Sequence, residues 1–141
     1  MARWLFVVAL LLHHGAFADT ADAALARSDY MVNCQGCHLP NGGGYPGKVP
    51  DIRQSMGRFL AADEGREFLV RVPGAATSVL DDQRLAALLN WMLAEFCATD
   101  VPSGFVAYDA VEVGRLRRHP FTDVQGARSA LAVQVGIPAT Y

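Results

Sequence analysis

The sequence predicts an all-α protein, and three observations carry that reading. Leu85, Leu88, Leu89, Met92, Leu93 and Phe96 recur at helical spacing and form one apolar stripe. Residues that favour helix starts stand before apolar segments at Asp81, at Asp109-Ala110-Val111-Glu112 and at Thr122-Asp123-Val124-Gln125. No stretch shows the apolar–polar alternation of a half-buried strand, and there is no internal repeat or low-complexity block.

The elements follow in order. Residues 1–18 read as a secretory signal: Arg3 gives the positive start, Trp4 to Leu12 is unbroken apolar sequence, and Ala16-Phe17-Ala18 offers a cleavage site. The run is shorter than the roughly 20 apolar residues of a membrane-spanning helix, although an uncleaved anchor is the alternative. His13 and His14 fall inside it and are discounted as ligands. The mature chain is then expected to begin at Asp19, without a stable membrane span. A first helix is predicted over Asp22 to Val32, with Ala23, Ala24, Leu25, Tyr30 and Met31 as its apolar residues. Asn41 to Pro50 is dense in glycine and proline and reads as a loop. Arg53 to Leu60 is a short helical turn. Ala62 to Val72 is a helix with Asp63 and Glu64 in its first turn and Phe68, Leu69 and Val72 on one side; Pro73-Gly74 stops it. Asp81 caps the leucine-rich helix. Two further helices are predicted, from Asp109 to about Arg118 and from Thr122 to about Val135. The chain therefore divides into a leader (1–18), one helical domain (19–99) and a helical C-terminal extension (100–141).

Hydrophobic residues make up 52% of the sequence and the formal charge is −2, with Lys48 the one lysine. Nothing resembles the basic stripe of a nucleic-acid-binding protein. The three cysteines, Cys34, Cys37 and Cys97, are an odd count, which argues against a pure disulfide framework.

Cys34-Gln35-Gly36-Cys37-His38 carries the chemistry. Two thiols three positions apart each reach one vinyl group of a haem, and the following imidazole faces the iron. Three rivals stand beside this reading. A thioredoxin-like redox pair needs a βαβ setting, and no strand precedes Cys34. A zinc site drawn from Cys34, Cys37, His38 and Cys97 asks two adjacent residues to face one tetrahedral ion. A plain disulfide between Cys34 and Cys37 is the third.

Beyond the motif, the chain resembles the class I cytochromes c from Ala21 to Phe96. Tyr30 lies one helical turn before the first cysteine, Pro50 follows the histidine by twelve residues, Gly57-Arg58 follows the proline, and Trp91 stands in the last helix of the domain. The resemblance implies a cytochrome c-like fold around one covalently attached haem c. It implies that Cys34 and Cys37 bind the haem and that His38 is the proximal iron ligand. The Pro50 carbonyl would orient His38, Arg58 would meet a haem propionate, and Trp91 would pack between helices and haem. Loop rigidity for Pro50 and an ordinary surface charge for Arg58 are the plainer alternatives.

The family usually supplies a distal methionine from the loop before its last helix, near Gly74 here. Val72 to Asp82 contains no Met, His or Lys. Met56 is the first candidate for the sixth ligand; Met31, Met92 and His119 are others, and no protein ligand at all is the remaining possibility. Thr77 and Ser78 offer hydroxyls. The resemblance implies a single-electron carrier rather than an enzyme, located in the periplasm and served by partners such as a periplasmic dehydrogenase or another cytochrome. The missing methionine supports an alternative, a five-coordinate haem protein that binds a small gaseous ligand. A peroxidase-like enzyme ranks last, because no distal histidine stands out.

Overall fold

The computed structural model describes residues 15–139, with side chains described from residue 21. Most of the predicted leader, residues 1–14, lies outside the described residues. Seven helices are present among those described: α1 (Gly15–Asn33), α2 (Ile52–Phe59), α3 (Gly65–Arg71), α4 (Pro73–Ala76), α5 (Asp82–Phe96), α6 (Ala110–Leu116) and α7 (Val124–Val135). The all-α expectation holds, and the described residues contain no strand beyond one isolated bridge between Tyr45 and Val49. No described helix is long and apolar enough to cross a membrane.

Helix starts follow local chemistry. Asp51, Asp81, Asp109 and Asp123 each accept a hydrogen bond from a backbone N–H of the first turn. Such caps satisfy donors that the helix itself leaves unpaired. Three predicted starts need correction. The first helix begins at Gly15 rather than Asp22. The seventh helix is capped by Asp123, not Thr122, because the Asp123 carboxylate receives the Gly126 N–H at 2.8 Å. The third begins at Gly65 rather than Ala62. Glu64 adopts a left-handed φ of 61° there, so Asp63 and Glu64 precede the helix. Gly65 lies so close to the end of α2 that a Cβ would overlap the Phe59 carbonyl. Pro73 ends α3 as expected but also opens the short α4, using the fixed φ that suits a first helical position.

α1 crosses α5, and α5 packs on α6. Tyr30, Trp91 and Phe96 form the aromatic contact of the first crossing, with ring centroids 5.1–5.6 Å apart. Arg84 of α5 pairs there with Asp29, which is 4% exposed. The stripe predicted for α5 is the centre of the core: Leu85, Leu88, Leu89, Met92 and Leu93 are all buried. Each fully buried leucine contributes about 1.5–3 kcal/mol.

The C-terminal segment joins this same core. Tyr108, Val113, Leu116, Leu131 and Ala132 are buried in one cluster with Tyr30, Phe59 and Leu85. Tyr108 exchanges two hydrogen bonds of 2.9 Å with the Asn90 amide of α5. Arg66 of α3 reaches the Val106 carbonyl at 2.6 Å and both carboxylate oxygens of Glu112 at 2.6 Å, and it covers the Tyr108 ring. The segment wraps residues 19–99 rather than extending away from them.

Candidate functional site

α1 ends just before the cysteine motif, and the chain then continues in tight turns. The Cys34 N–H bonds the Tyr30 carbonyl at 2.9 Å, and the His38 N–H bonds the Cys34 carbonyl at 2.9 Å. Four residues apart on such a turn, Cys34 and His38 face one side. The loop after His38 folds back at once. The Tyr30 hydroxyl donates to the Leu39 carbonyl at 2.7 Å, Ile52 N–H to the Gly42 carbonyl at 2.9 Å, and Tyr45 and Val49 exchange two bonds of 2.9 Å. Gly42 takes a φ of 78°, and its open side meets the Phe96 ring. This return brings Pro50 beside His38.

Cys34, Cys37, His38 and Pro50 stand along one wall of a cavity of about 340 Å³. Most of the remaining lining is apolar: Ile52, Met56 and Phe59 from α2, Phe68, Leu69 and Val72 from the α3 region, and Leu85, Leu88, Leu89 and Met92 from α5. Burial lowers the His38 pKa below its ordinary value, while the Pro50 carbonyl and Asp51 pull it the other way. The imidazole is thereby favoured in its neutral form, the form that coordinates a metal. Its Nδ1 is buried without a hydrogen bond of regular geometry. Cys34 is half-buried, and its thiol is pushed up to about 11, by burial first and then by the nearby Asp29 and Cys37. Both motif cysteines are free thiols, so they form no disulfide.

These residues fit a large, flat, mostly apolar group attached through two sulfurs and held by one imidazole. They do not fit zinc. Cys97, the fourth residue that reading needs, is buried elsewhere, with its thiol 3.4 Å from the Ile52 carbonyl. Among the described residues no group of three or more His, Cys, Asp or Glu is gathered to hold an ion.

Two relatives match most of the chain. A cytochrome c-552 of Thermus thermophilus is 30% identical over 131 aligned residues, covering 78% of this chain and 88% of the relative. The chain belongs to the c-type cytochromes. A second Thermus thermophilus cytochrome c-552 is 31% identical over 112 residues, covering 67% of this chain and 86% of that protein. No protein-family profile matches the chain. Membership implies covalently bound haem c, and the cavity beside Cys34, Cys37 and His38 is where the residues fit it.

The other expected site residues of this c-type cytochrome are placed unevenly. Trp91 packs against Tyr30 at 5.6 Å, which is the helix contact, but it does not line the cavity. Arg58 is half-exposed, with its Nε 3.5 Å from Asp100, and lines a neighbouring cavity instead. Met56 and Met92 both line the haem cavity and are 5% and 8% exposed. Met31 is on the surface, 49% exposed, and His119 is also exposed; neither lines the cavity. The wall where the family methionine is expected consists of Pro73, Gly74, Ala75 and Ser78. Thr77 instead turns its hydroxyl back to the Pro73 carbonyl, at 2.6 Å.

Two arginines escaped the sequence reading. Arg117, just after α6, donates to the carbonyls of Ala76 at 3.1 Å, Leu80 at 2.7 Å and Ser78, and to the Asp82 carboxylate at 3.1 Å. One guanidinium thus holds the loop from 76 to 82. Arg128 of α7 is 6% exposed and lines the haem cavity. Charged residues on amphipathic helices ordinarily read as solvated, so neither carried a local signal.

Proposed function

We propose that the chain is a class I, monohaem cytochrome that carries single electrons in the periplasm after removal of residues 1–18. The observation that carries this reading is the apolar cavity with Cys34, Cys37 and His38 on one wall. Haem iron supplies the redox couple when bound. The chain's own residues do the rest. Cys34 and Cys37 would form the thioether links and His38 would be the proximal ligand, with the Pro50 carbonyl setting its ring and tuning its basicity. The apolar lining excludes water, and the low polarity sets the potential. Met56 first, and Met92 after it, are this reading's candidates for the second iron ligand, since both line the cavity. Residues 21–99 supply most of the lining, and the segment from 100 to 139 adds Val124 and Arg128 to it. Its partners in this reading are a periplasmic dehydrogenase or a second cytochrome.

A second reading rests on a specific observation, the run Pro73-Gly74-Ala75 with Ser78 where a ligating side chain is usual. With neither methionine on the iron, the same cavity takes a small diatomic ligand.

The test is a visible spectrum of the exported protein, oxidised and reduced, with and without carbon monoxide. Colour that stays with the chain on denaturation supports covalent haem; colourless protein overturns the whole proposal. A methionine-to-iron charge-transfer band in the oxidised form, lost in Met56→Ala or Met92→Ala, supports the carrier and names its ligand. No such band, with a large carbon monoxide shift on reduction, favours the diatomic-binding reading.

A further inference from the structure

A second cavity of about 390 Å³ lies between the loop at Gly44 to Asp51, Arg58 and the C-terminal Ile137-Pro138. Arg128 lines this cavity and the haem cavity both. Its side chain stands at their shared wall, with the guanidinium carbon 5.1 Å from the centre of the Phe59 ring. Among the described residues that line the haem cavity, Arg128 carries the one permanent charge; the others are apolar or neutral polar. Arg58 lines only the second cavity and leans on Asp100.

Resting on the haem reading above, we infer that Arg128, supplied by the C-terminal helix, is the principal positioning residue for the haem propionates, with Arg58 subsidiary. Haem is apolar except at its two carboxylates. An apolar cavity with a single buried guanidinium on its wall offers those carboxylates one place. Arginine suits it because its planar fork meets a carboxylate with two parallel bonds. The second cavity would then receive the carboxylate edge, between Arg128 and the half-exposed Arg58, with the Asp51 carboxylate on the same lining paired to Arg53. A carboxylate beside a buried cation stays ionised, and its charge is offset at the iron. Removing the cation leaves negative charge near the iron, which favours the ferric state.

The experiment is a spectroelectrochemical titration of the holoprotein from about pH 5 to about pH 9, a window spanning the ordinary range of a perturbed carboxyl group. Wild type, Arg128→Gln, Arg128→Lys and Arg58→Gln are compared. The inference expects Arg128→Gln to lower the reduction potential and to add a pH-dependent step as a propionate titrates. Arg128→Lys is expected to restore most of the potential, and Arg58→Gln to move it less than Arg128→Gln does. An unchanged potential and pH profile in Arg128→Gln would overturn the inference, as would a larger shift in Arg58→Gln. Should Arg128→Gln not accumulate, resonance Raman of wild type against Arg128→Lys reads the same contact. A shifted propionate bending mode supports it and an unshifted one refutes it. Wild type without covalent haem sinks the haem reading first, and this inference with it.

Discussion

The two walls of the haem cavity are assembled from different distances along the chain. The wall that carries His38 is local: Tyr30 reaches Leu39, Gly42 reaches Ile52, and Pro50 returns to the imidazole within twelve residues. Another wall, Val72 to Ala75 with Ser78, runs into the loop 76 to 82, which has short-range bonds of its own but whose fastening is Arg117, 35–41 residues away in sequence. Arg71 repeats the pattern, donating to the His119 carbonyl at 2.7 Å while its backbone carbonyl accepts the Phe121 N–H at 3.0 Å. A local wall is specified by its own residue types. A wall held from afar takes its order from residues that its own stretch of sequence does not contain.

The comparison can be broken most severely on the His38 side. His38→Ala is expected to abolish the native haem spectrum, although some haem remains on Cys34 and Cys37; comparing the Soret band before and after denaturation checks it. At the loop 76 to 82, Arg117→Ala removes four hydrogen bonds at once and leaves three part-buried carbonyls without that donor. The expected cost is about 2–4 kcal/mol, or a fall in Tm of about 10 °C by calorimetry. The covalent haem should be retained, and reactivity with carbon monoxide should rise as the loop loosens. Equal haem loss in both variants would erase the distinction between the walls.

A pH series sharpens it further. Tyr108 ties the C-terminal segment to α3 through its hydroxyl, which donates to the Arg66 carbonyl at 2.9 Å. Burial raises its pKa above the ordinary 10.0. The folded chain therefore holds this proton where the unfolded chain releases it. The stabilisation is complete below about pH 10 and is lost as pH climbs towards the higher folded value. Burial also raises Tyr30, to about 12, with the same sign. Tyr108→Phe should cost about 1 kcal/mol at neutral pH and flatten the alkaline loss of stability, measured by urea unfolding across that range. The smallest effect is expected from Asp109→Ala. It removes the exposed 2.8 Å bond to the Glu112 N–H at the start of α6, worth about 0.5 kcal/mol by the same assay.

How much is legible in the sequence follows the same division. The α5 stripe, the caps at Asp81 and Asp109 and the C-terminal boundary at Val135 are readable because each depends on neighbours within one or two turns. Thr122 passes for a cap because it and Asp123 are both acceptable types, and only the backbone path selects between them. The start of α3 is misplaced because Glu64 takes a left-handed conformation that its residue type does not announce. Arg66, Arg117 and Arg128 are illegible as structural residues. The partners of Arg66 and Arg117 lie 35 or more residues away, Arg128 acts across a cavity, and no periodicity reports such a contact.

The Arg117 fastening also orders events in time. Short-range turns close early, while contacts between distant residues wait for the chain that supplies them. A chain emerging N-terminus first presents Cys34, Cys37 and His38 long before Arg117 exists to tie down residues 76 to 82. Most of the cavity lining is likewise present before that point, and the last helix adds Val124 and Arg128 to it at the end.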